Sequence, residues 1–335
     1  MSPDPGFFGP AYAGLPTFLR RPYADRDDDL DRLRPDVAIL GAPWDDSVTY
    51  RPGARFGPRA VRQALYLRSF FHVGEGIDPF AWLSAVDVGD AACVPGLVEP
   101  SHGAIGAKVA AAADRGVLPM VVGGDHSVTL PAASAVAAAH RPRRLGIVHF
   151  DAHADTAPDA WGNLFSHGTP MRRLIESGAV DGRNFVQVGL RGYWPGPEVF
   201  DWMRAHRLRW HTMADIERRG FNRVVADAVN QALDGPDVVY LSVDVDVVDP
   251  GSAPGTGTPE PGGLQPRELL RAVRHIALGV ELAGMDVTEV SPPYDQAEVT
   301  AALANRCLLE AVTGLALRRR DRPGSRPGEV SSRPD

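Results

Sequence analysis

The sequence predicts an α/β fold of three layers, in which a parallel β-sheet is flanked by helices on both faces. Short apolar runs rich in β-branched residues alternate with longer segments of helical periodicity between about residues 36 and 317. No Pro/Gly/Ser-rich linker or change of composition interrupts this alternation. Hydrophobic residues make up 44% and charged residues 23% of the 335 positions, as in ordinary globular domains. We therefore expect a single domain over residues 36–317 with a sizeable core.

The predicted elements alternate between strand and helix along the whole domain. The strands are short, apolar and β-branched, and are predicted at 36–40, 118–122, 145–150, 184–188, 238–243 and 279–285. The helices have apolar residues at a period near 3.6, and are predicted at 58–68, 102–115, 128–140, 197–206, 222–233, 266–277 and 298–317. In an open parallel sheet, ligands collect beyond the carboxyl ends of the strands, so functional residues are expected directly after each strand.

The two ends of the chain are predicted to lie outside the domain. Residues 1–35 form an N-terminal arm that packs on the domain surface or on a neighbouring subunit. Residues 318–335 begin with three arginines and continue as a Pro/Gly/Ser/Arg-rich tail, which predicts disorder; a nucleic-acid-binding arm is the alternative. The N-terminus lacks the basic segment and apolar stretch of a secretory signal, so we expect a cytoplasmic protein.

Composition and charge exclude several classes of function. The formal net charge of −7 argues against nucleic acid as a partner, because phosphate binding requires a basic surface, and it suits a cationic substrate. No apolar run approaches the roughly 20 residues of a membrane-spanning helix, so no membrane contact is expected. The two cysteines, Cys93 and Cys307, are too few for a disulfide framework and are expected to be small core residues.

Three ligand-type side chains follow the strand predicted at 145–150. Asp151, His153 and Asp155 occupy every second position. A strand-like period of two would point all three to the same side of the chain. The segment therefore offers two carboxylates and an imidazole to one site.

Two other predicted strands end in the same way. Asp244 and Asp246 follow the strand at 238–243, again at every second position. The strand at 118–122 runs into two glycines, which permit a tight turn that presents His126 at the strand end. All these strand ends are expected at one edge of the sheet.

The six side chains are therefore predicted to converge. Four carboxylates packed together would repel one another strongly unless bound cations neutralise them. Oxygen ligands with a minority of imidazole favour hard or borderline divalent ions, of which Mn²⁺ is our first choice and Ni²⁺ or another ion the alternative. Six ligands are too many for one catalytic ion with an open position, but they suit two ions that share bridging carboxylates. The sequence thus predicts a hydrolytic centre with two metal ions.

These segments resemble the motifs of the ureohydrolases, the family of arginase, agmatinase and their relatives. The motifs that carry the resemblance are GGDHS at 123–127, HFDAHADT at 149–156 and SVDVDVVDP at 242–250. Further matches lie at 50–59, 253–263 and 285–295, and the resemblance covers about residues 10 to 317. It implies an arginase/deacetylase-like fold and a hydrolase that cleaves a guanidino compound to an amine and urea.

The resemblance also implies which residues bind which ion. One Mn²⁺ would be bound by His126, Asp151, Asp155 and Asp244, and the other by Asp151, His153, Asp244 and Asp246. Asp151 and Asp244 would then bridge the two ions, which activate a water for attack on the guanidinium carbon.

Two further residues have catalytic roles by the same resemblance. Glu289 would accept hydrogen bonds from the substrate guanidinium, and His167 would carry a proton to the leaving amine. His149, within a predicted strand, is expected to be a packed core residue instead. Asp125 is expected to orient either the turn before His126 or a metal ligand from behind.

The substrate is predicted from the loop that follows the HFDAHADT motif. Ala157 stands where arginases carry an asparagine that holds the α-carboxylate of arginine, so an α-amino acid substrate is disfavoured. Our leading hypothesis is agmatine, hydrolysed to putrescine and urea, with Asp159, Trp161 and Asn163 as candidate substrate contacts. The alternative is 4-guanidinobutyrate or 3-guanidinopropionate. The stretches 189–194 and 170–173 resemble guanidinobutyrase-like members, whose substrate ends in a carboxylate that an arginine such as Arg191, Arg172 or Arg173 could bind.

The sequence leaves two other classes of function open. A non-catalytic relative would bind a guanidino compound without cleaving it, although none of the metal-ligand, His167 or Glu289 positions is lost. A deacetylase of related architecture would use a single zinc ion and different motifs. By resemblance to the family we expect a homo-oligomer, either a trimer or a hexamer.

Overall fold

The central element of the fold is a parallel sheet. The computed structural model describes residues 10, 12–24, 26, 28–67, 69–322, 324 and 326–327. Within these residues the sheet has eight strands in the order β2-β1-β3-β8-β7-β4-β5-β6, and every neighbouring pair is parallel. The strands are β1 (Val37–Ala42), β2 (Ala85–Asp90), β3 (Leu118–Gly123), β4 (Leu145–Phe150), β5 (Phe185–Leu190), β6 (Arg209–Thr212), β7 (Val238–Asp244) and β8 (Leu282–Thr288).

Helices connect the strands and cover both faces of the sheet. In the described part of the chain they are α1 (Asp29–Leu33), α2 (Gly57–Gln63), α3 (Val98–Ala113), α4 (Thr129–Ala139), α5 (Pro170–Glu176), α6 (Pro197–Ala205), α7 (Met213–Arg219), α8 (Phe221–Ala232), α9 (Pro266–Gly279) and α10 (Val299–Arg320). The three that were not predicted, α1, α5 and α7, have five to seven residues each, too short for a helical period to be visible.

The two strands that were not predicted are the edges of the sheet. β2 contains Asp87 and Gly89, both of residue types disfavoured in strands. Asp87 is nonetheless fully buried, because it accepts hydrogen bonds from the backbone of Phe18 and from the Arg62 guanidinium. β6 has only four residues and is half-buried. Tertiary contacts, rather than local propensity, determine both strands.

The core consists of two apolar layers, one on each face of the sheet. Successive residues of β1 alternate between them: Val37 and Ile39 belong to one cluster, and Ala38 and Leu40 to the other. The first cluster includes side chains of α2, α8, α9 and α10, and the second includes side chains of α3, α4, α5 and α6. The predicted three-layer α/β architecture is therefore confirmed.

The N-terminal segment joins the edge of the domain at β2. Phe18 and Leu19 are fully buried in the first apolar cluster, and Tyr23 forms a parallel bridge with Asp87. The apolar core therefore extends into the segment predicted as an arm. Residues 1–9, 11, 25 and 27 of that segment lie outside the described residues.

The last helix extends further than predicted. α10 continues to Arg320, and Arg319 bonds Asp36 and the carbonyl oxygen of Trp82, so the start of the predicted tail is helical. Residues 323, 325 and 328–335 of the tail lie outside the described residues. By length and composition α10 could cross a membrane, although no such segment was expected from the sequence. In the fold, 67% of its most apolar stretch is buried, as in a core helix.

Candidate active site

The turn after β3 presents His126 through a close approach of backbones. A Cβ atom added at Gly124 would run into the carbonyl oxygens of Trp44 and Ala42, so only glycine fits there. His126 follows in a short 3-10 turn and is fully buried. Its backbone N–H donates to Oε1 of Glu289 at 2.9 Å, which ties the end of β3 to the end of β8.

The segment after β4 brings its three ligand-type side chains to the same place. Asp151 is fully buried and accepts the backbone N–H of His153 through Oδ1. Asp155 has a positive φ of 51°, a conformation that Asp tolerates better than most residues. The turn at Asp155 returns its carboxylate to His126.

The segment after β7 completes the group. Asp244 is the last residue of β7, and its Oδ1 accepts the backbone N–H of Asp246 at 2.8 Å. Asp246 in turn accepts the backbone N–H of Ala152 at 3.1 Å, so the β4 and β7 loops are joined. The structure thus brings together all six residues predicted as metal ligands.

The ligand atoms converge around Nδ1 of His126. Oδ2 of Asp151 and Oδ2 of Asp155 each lie 3.0 Å from this nitrogen, and Oδ2 of Asp244 lies 3.2 Å away. Although these oxygens are close, Nδ1 has no hydrogen-bond partner in suitable geometry among the described residues. This buried nitrogen is close to three carboxylate oxygens but is not hydrogen-bonded to them. Such an arrangement is expected when the nitrogen and the oxygens are ligands of one cation.

A second group of ligand atoms surrounds His153. Its Nδ1 lies 3.0 Å from Oδ2 of Asp246 and 3.5 Å from Oδ1 of Asp151. Asp151 therefore contributes one oxygen to each group, as a bridging carboxylate would. The set of imidazole nitrogens and carboxylate oxygens suits two borderline divalent ions.

The electrostatics of the cluster also favour bound cations. Burial raises the pKa of Asp244 well above its usual range, and the neighbouring Asp246 and Asp151 raise it further. Burial likewise raises the pKa of Asp246. Burial lowers the pKa of His126, but the carboxylates of Asp151, Asp155 and Asp244 outweigh it and raise that pKa well above the usual value. These shifts favour the protonated forms of Asp244, Asp246 and His126, whereas metal binding requires ligands without those protons, so divalent ions would compete with protons at the cluster.

A chain of buried hydroxyls and a carboxylate orients His126 from behind. Nε2 of His126 lies 2.9 Å from Oγ of Ser242, which donates to Oδ1 of Asp286 at 2.7 Å. Tyr240 and Thr129 donate to the other oxygen of Asp286, both at 2.8 Å. These bonds fix the imidazole so that Nδ1 faces the carboxylates. No sequence pattern identifies Asp286, because its role depends on β8 lying beside β7.

His149 was expected to be a packed core residue, and it is fully buried. Yet its Nε2 lies 2.9 Å from Oδ2 of Asp151, and Gln187 donates to its Nδ1 at 3.0 Å. Because Gln187 donates to Nδ1, the network assigns the ring proton to Nε2, facing Asp151. The period of two that links Asp151 to His153 could have identified His149 as well.

His167 and Glu289 form a pair beside the ligand cluster. Nδ1 of His167 lies 3.0 Å from Oε1 of Glu289, and Nε2 lies 2.7 Å from Oγ1 of Thr49. Burial lowers the pKa of His167, but the Glu289 carboxylate outweighs burial, and the pKa is raised to about 9. The backbone N–H of Thr49 also donates to Nε2 at 3.1 Å, which suits the neutral ring with its proton on Nδ1. The Thr49 hydroxyl can donate to the neutral ring or accept from the protonated one.

One carboxylate oxygen of Glu289 lacks a hydrogen-bond donor among the described residues. Oε2 is buried and has no hydrogen-bond partner among the described residues. The backbone of Glu289 has a positive φ of 64°, a strained conformation for this residue type. An unpaired buried carboxylate oxygen costs free energy unless a donor reaches it. A guanidinium N–H is a donor of the required kind.

A cavity of about 530 Å³ opens directly above the cluster. Its walls are formed by Thr49, His153, Asp155, Ala157, Asp159, Ala160, Trp161, Ser166, His167, Gly168, Trp194, Asp244 and Thr258. Of the candidate substrate contacts, Asp159 and Trp161 are in the wall. Asn163 is not, and its Oδ1 instead accepts the backbone N–H of Phe165 at 3.0 Å.

The arginines proposed for a substrate carboxylate lie away from this cavity. Arg191 donates to backbone carbonyls on all sides, among them those of Asp246 and Glu260. Arg172 donates to the carbonyl oxygen of Thr156, and Arg173 to that of Pro158. In the described part of the chain, the cavity wall contains carboxylates and histidines but no arginine or lysine.

Comparison with protein families and curated relatives gives one consistent result. A family model described as the arginase family matches residues 35–314. The guanidinopropionase of Pseudomonas aeruginosa is 40% identical over 311 residues, covering 92% of this chain and 93% of that protein. The proclavaminate amidinohydrolase of Streptomyces clavuligerus is 39% identical over 88% of this chain and 91% of its own. The agmatinase of Chromobacterium violaceum is 37% identical over 88% and 86%.

Solved structures give the same likeness. The proclavaminate amidinohydrolase of S. clavuligerus superposes with a TM-score of 0.83 at 36% identity, covering 92% of this chain and 100% of that one. Trypanosoma cruzi formiminoglutamase, solved with two Mn²⁺, superposes with a TM-score of 0.79 at 26% identity, covering 91% and 100%.

Proposed function

The chain belongs to the arginase family and is an amidinohydrolase that acts on a C–N bond of a guanidino compound, and from this premise we propose that its substrate is agmatine, cleaved to putrescine and urea. The observation that supports agmatine as the substrate is the charge of the cavity wall. Among the described residues of the wall, Asp159 has the one carboxylate that is not a proposed metal ligand, because bound ions would neutralise Asp155 and Asp244, and no arginine or lysine lines it. Such a wall suits a distal ammonium and offers no cation to a distal carboxylate.

Each end of agmatine has a candidate partner. The guanidinium would lie at the ligand cluster, where Oε2 of Glu289 lacks a donor. The distal ammonium would approach Asp159, in the wall of the same cavity. Trp161 and Trp194 are also in the wall and could cover the four-carbon spacer.

Members of the family depend on two metal ions, and the donor groups of this chain fit such a centre. We propose that His126, Asp151, Asp155 and Asp244 hold one ion, and that Asp151, His153, Asp244 and Asp246 hold the other. When bound, the ions lower the pKa of a water and orient it toward the guanidinium carbon. Mn²⁺ is the proposed ion, since the formiminoglutamase structure contains it; Ni²⁺ is the alternative.

His167 and Glu289 have complementary roles in this proposal. Glu289 accepts guanidinium N–H groups through Oε2 while Oε1 stays on the His126 backbone and on His167. His167 delivers a proton to the leaving amine nitrogen, which must be protonated to depart. Its position in the cavity wall brings it within reach of a bound substrate.

The experiment that tests the proposal is urea release by purified protein loaded with Mn²⁺. Agmatine, 4-guanidinobutyrate, 3-guanidinopropionate, arginine and guanidine would be compared at equal concentrations. We expect agmatine to have the highest kcat/KM, and chelation or Asp151→Asn to abolish urea release. Asp201→Asn, at an exposed site on α6, is the matched control and should behave as the wild type.

The alternative substrate is a guanidino acid, favoured by the 40% identity to a guanidinopropionase. A higher kcat/KM for either guanidino acid would overturn the agmatine proposal and retain the reaction. Bound metal with no urea from any of the five compounds would instead favour a non-catalytic guanidino-binding protein. A trimeric or hexameric assembly and a cytoplasmic location remain predictions from the sequence.

A further inference from the structure

Arg191 follows β5 at the edge of the ligand cluster without facing the substrate cavity. Its guanidinium donates to the backbone carbonyls of Gly189, Asp246, Val247, Glu260 and Pro261, at distances of 2.6 to 3.3 Å. Every nitrogen of the group is thereby engaged. A cation so fully bonded to carbonyls cannot also bind a substrate carboxylate, so this arginine needs a different explanation.

Four of the five carbonyls that the Arg191 guanidinium binds belong to the loop after β7, which contains the proposed metal ligand Asp246; the fifth, that of Gly189, is in β5. Nη2 donates to the carbonyl oxygen of Asp246 at 2.7 Å and to that of Glu260 at 2.6 Å. The loop closes on itself where Leu264 donates to the carbonyl oxygen of Val247 at 2.9 Å. Arg191 therefore joins the beginning and the end of the loop from one side.

The backbone of Arg191 binds the other metal-ligand loop. Its N–H donates to the carbonyl oxygen of Ala152 at 3.1 Å, between Asp151 and His153. One residue thus contacts the loops after β4 and β7 at once. A Cβ atom at Gly263 would meet both Nη2 of Arg191 and the carbonyl oxygen of Val247, so glycine leaves the space that the guanidinium occupies.

We infer that Arg191 is a positioning residue that fixes the Asp246 loop against the Ala152 loop, so that Asp246 and His153 keep the spacing needed to share one metal ion. The inference rests on the metal centre of the proposed function. Lysine cannot replace arginine in this role, because a single ammonium lacks the planar fork that reaches several carbonyls at once.

The test is Mn²⁺ binding by the metal-free wild type and by Arg191→Lys and Arg191→Met. Free Mn²⁺ would be followed by electron paramagnetic resonance, which gives the number of sites and the affinity of each. Both variants should lose about 10- to 100-fold in affinity at one site and stay near the wild type at the other, as changes behind metal ligands typically do. Arg191→Lys is the milder change because it keeps the positive charge, so it still tests the inference if Arg191→Met does not fold.

Arg319→Lys is the matched control, since Arg319 also binds a backbone carbonyl and a carboxylate, but far from the cluster. It should lower the unfolding temperature and leave both affinities unchanged. Two intact sites in Arg191→Lys would overturn the inference whatever the activity. A wild type that binds no divalent ion would overturn the metal centre of the proposed function together with it.

Discussion

Nδ1 of His167 lies 3.0 Å from Oε1 of Glu289, although 122 positions separate the two residues in the sequence. The same Oε1 accepts the His126 backbone, which leaves Oε2 free for a substrate donor. The pair therefore links the predicted proton carrier and the predicted guanidinium acceptor to the predicted metal ligand His126. Substitutions of His167 and of Glu289 can distinguish the roles of the two residues.

Glu289→Gln should reduce kcat/KM by about 10- to 100-fold, because a neutral amide replaces a charge-assisted acceptor. The affinity for Mn²⁺ should stay within a few-fold, since the amide oxygen can still accept from the His126 backbone. Steady-state urea release and metal content would be measured on the same preparation. Loss of both ions together with activity would mean that Glu289 maintains the metal site instead.

His167→Asn should reduce kcat more strongly than it changes KM. Positioned general acids contribute about 10²- to 10⁴-fold to a rate, whereas His167 is not needed to hold the guanidinium. The measurement is the separate determination of kcat and KM with agmatine. His206→Asn, at an exposed site, is the control for loss of a histidine elsewhere. An unchanged kcat would exclude His167 as the proton donor.

Removing metal should destabilise the protein, because the carboxylates of the cluster then lack their cations. A site filled at 100 times its dissociation constant adds about 2.7 kcal/mol to the free energy of unfolding. Chelation should therefore lower Tm, and added Mn²⁺ should restore it in the wild type but not in Asp151→Asn. A Tm that does not respond to Mn²⁺ in the wild type would contradict the metal centre.

Trp161 is 88% exposed and has a positive φ of 51° in the cavity wall. Trp161→Asn should stabilise the protein by up to about 1 kcal/mol, because Asn tolerates this conformation better. The same change should raise KM for agmatine, since the indole no longer covers the spacer. Urea denaturation and KM would be compared in one variant, and a lower stability with an unchanged KM would refute both expectations.

Burial lowers the pKa of His102 to about 4, from an ordinary value of 6.5. In the unfolded chain His102 therefore binds a proton below pH 6.5, whereas in the folded chain it stays neutral down to about pH 4. The free energy of unfolding consequently falls as the pH is lowered from 6.5 to about 4. Between pH 8 and pH 5 the wild type should lose about 2 kcal/mol more than His102→Gln. Urea denaturation of chelated protein checks this, with His206→Gln, at an exposed site, expected to follow the wild type.

The sequence alone determined the class of fold and predicted the six ligand-type residues that the structure brings together. Asp151, His153 and Asp155 could be recognised together because their spacing is local and they follow one strand, although bends after β4 and a positive φ at Asp155, not a strand-like period, bring their side chains together. Apolar runs buried on both faces likewise required helices on each side of the sheet. These features depend on neighbouring residues only.

Tertiary structure decided which strands lie next to one another. β8 inserts between β3 and β7, so Asp286 reaches Ser242 and Glu289 reaches His126 across 44 and 163 positions. It also placed Arg191 on backbone carbonyls instead of in the cavity, and Asn163 outside the cavity wall. No local pattern encodes these contacts. The partner of a side chain depends on how distant segments pack together, whereas sequence spacing describes only the segment in which the side chain lies.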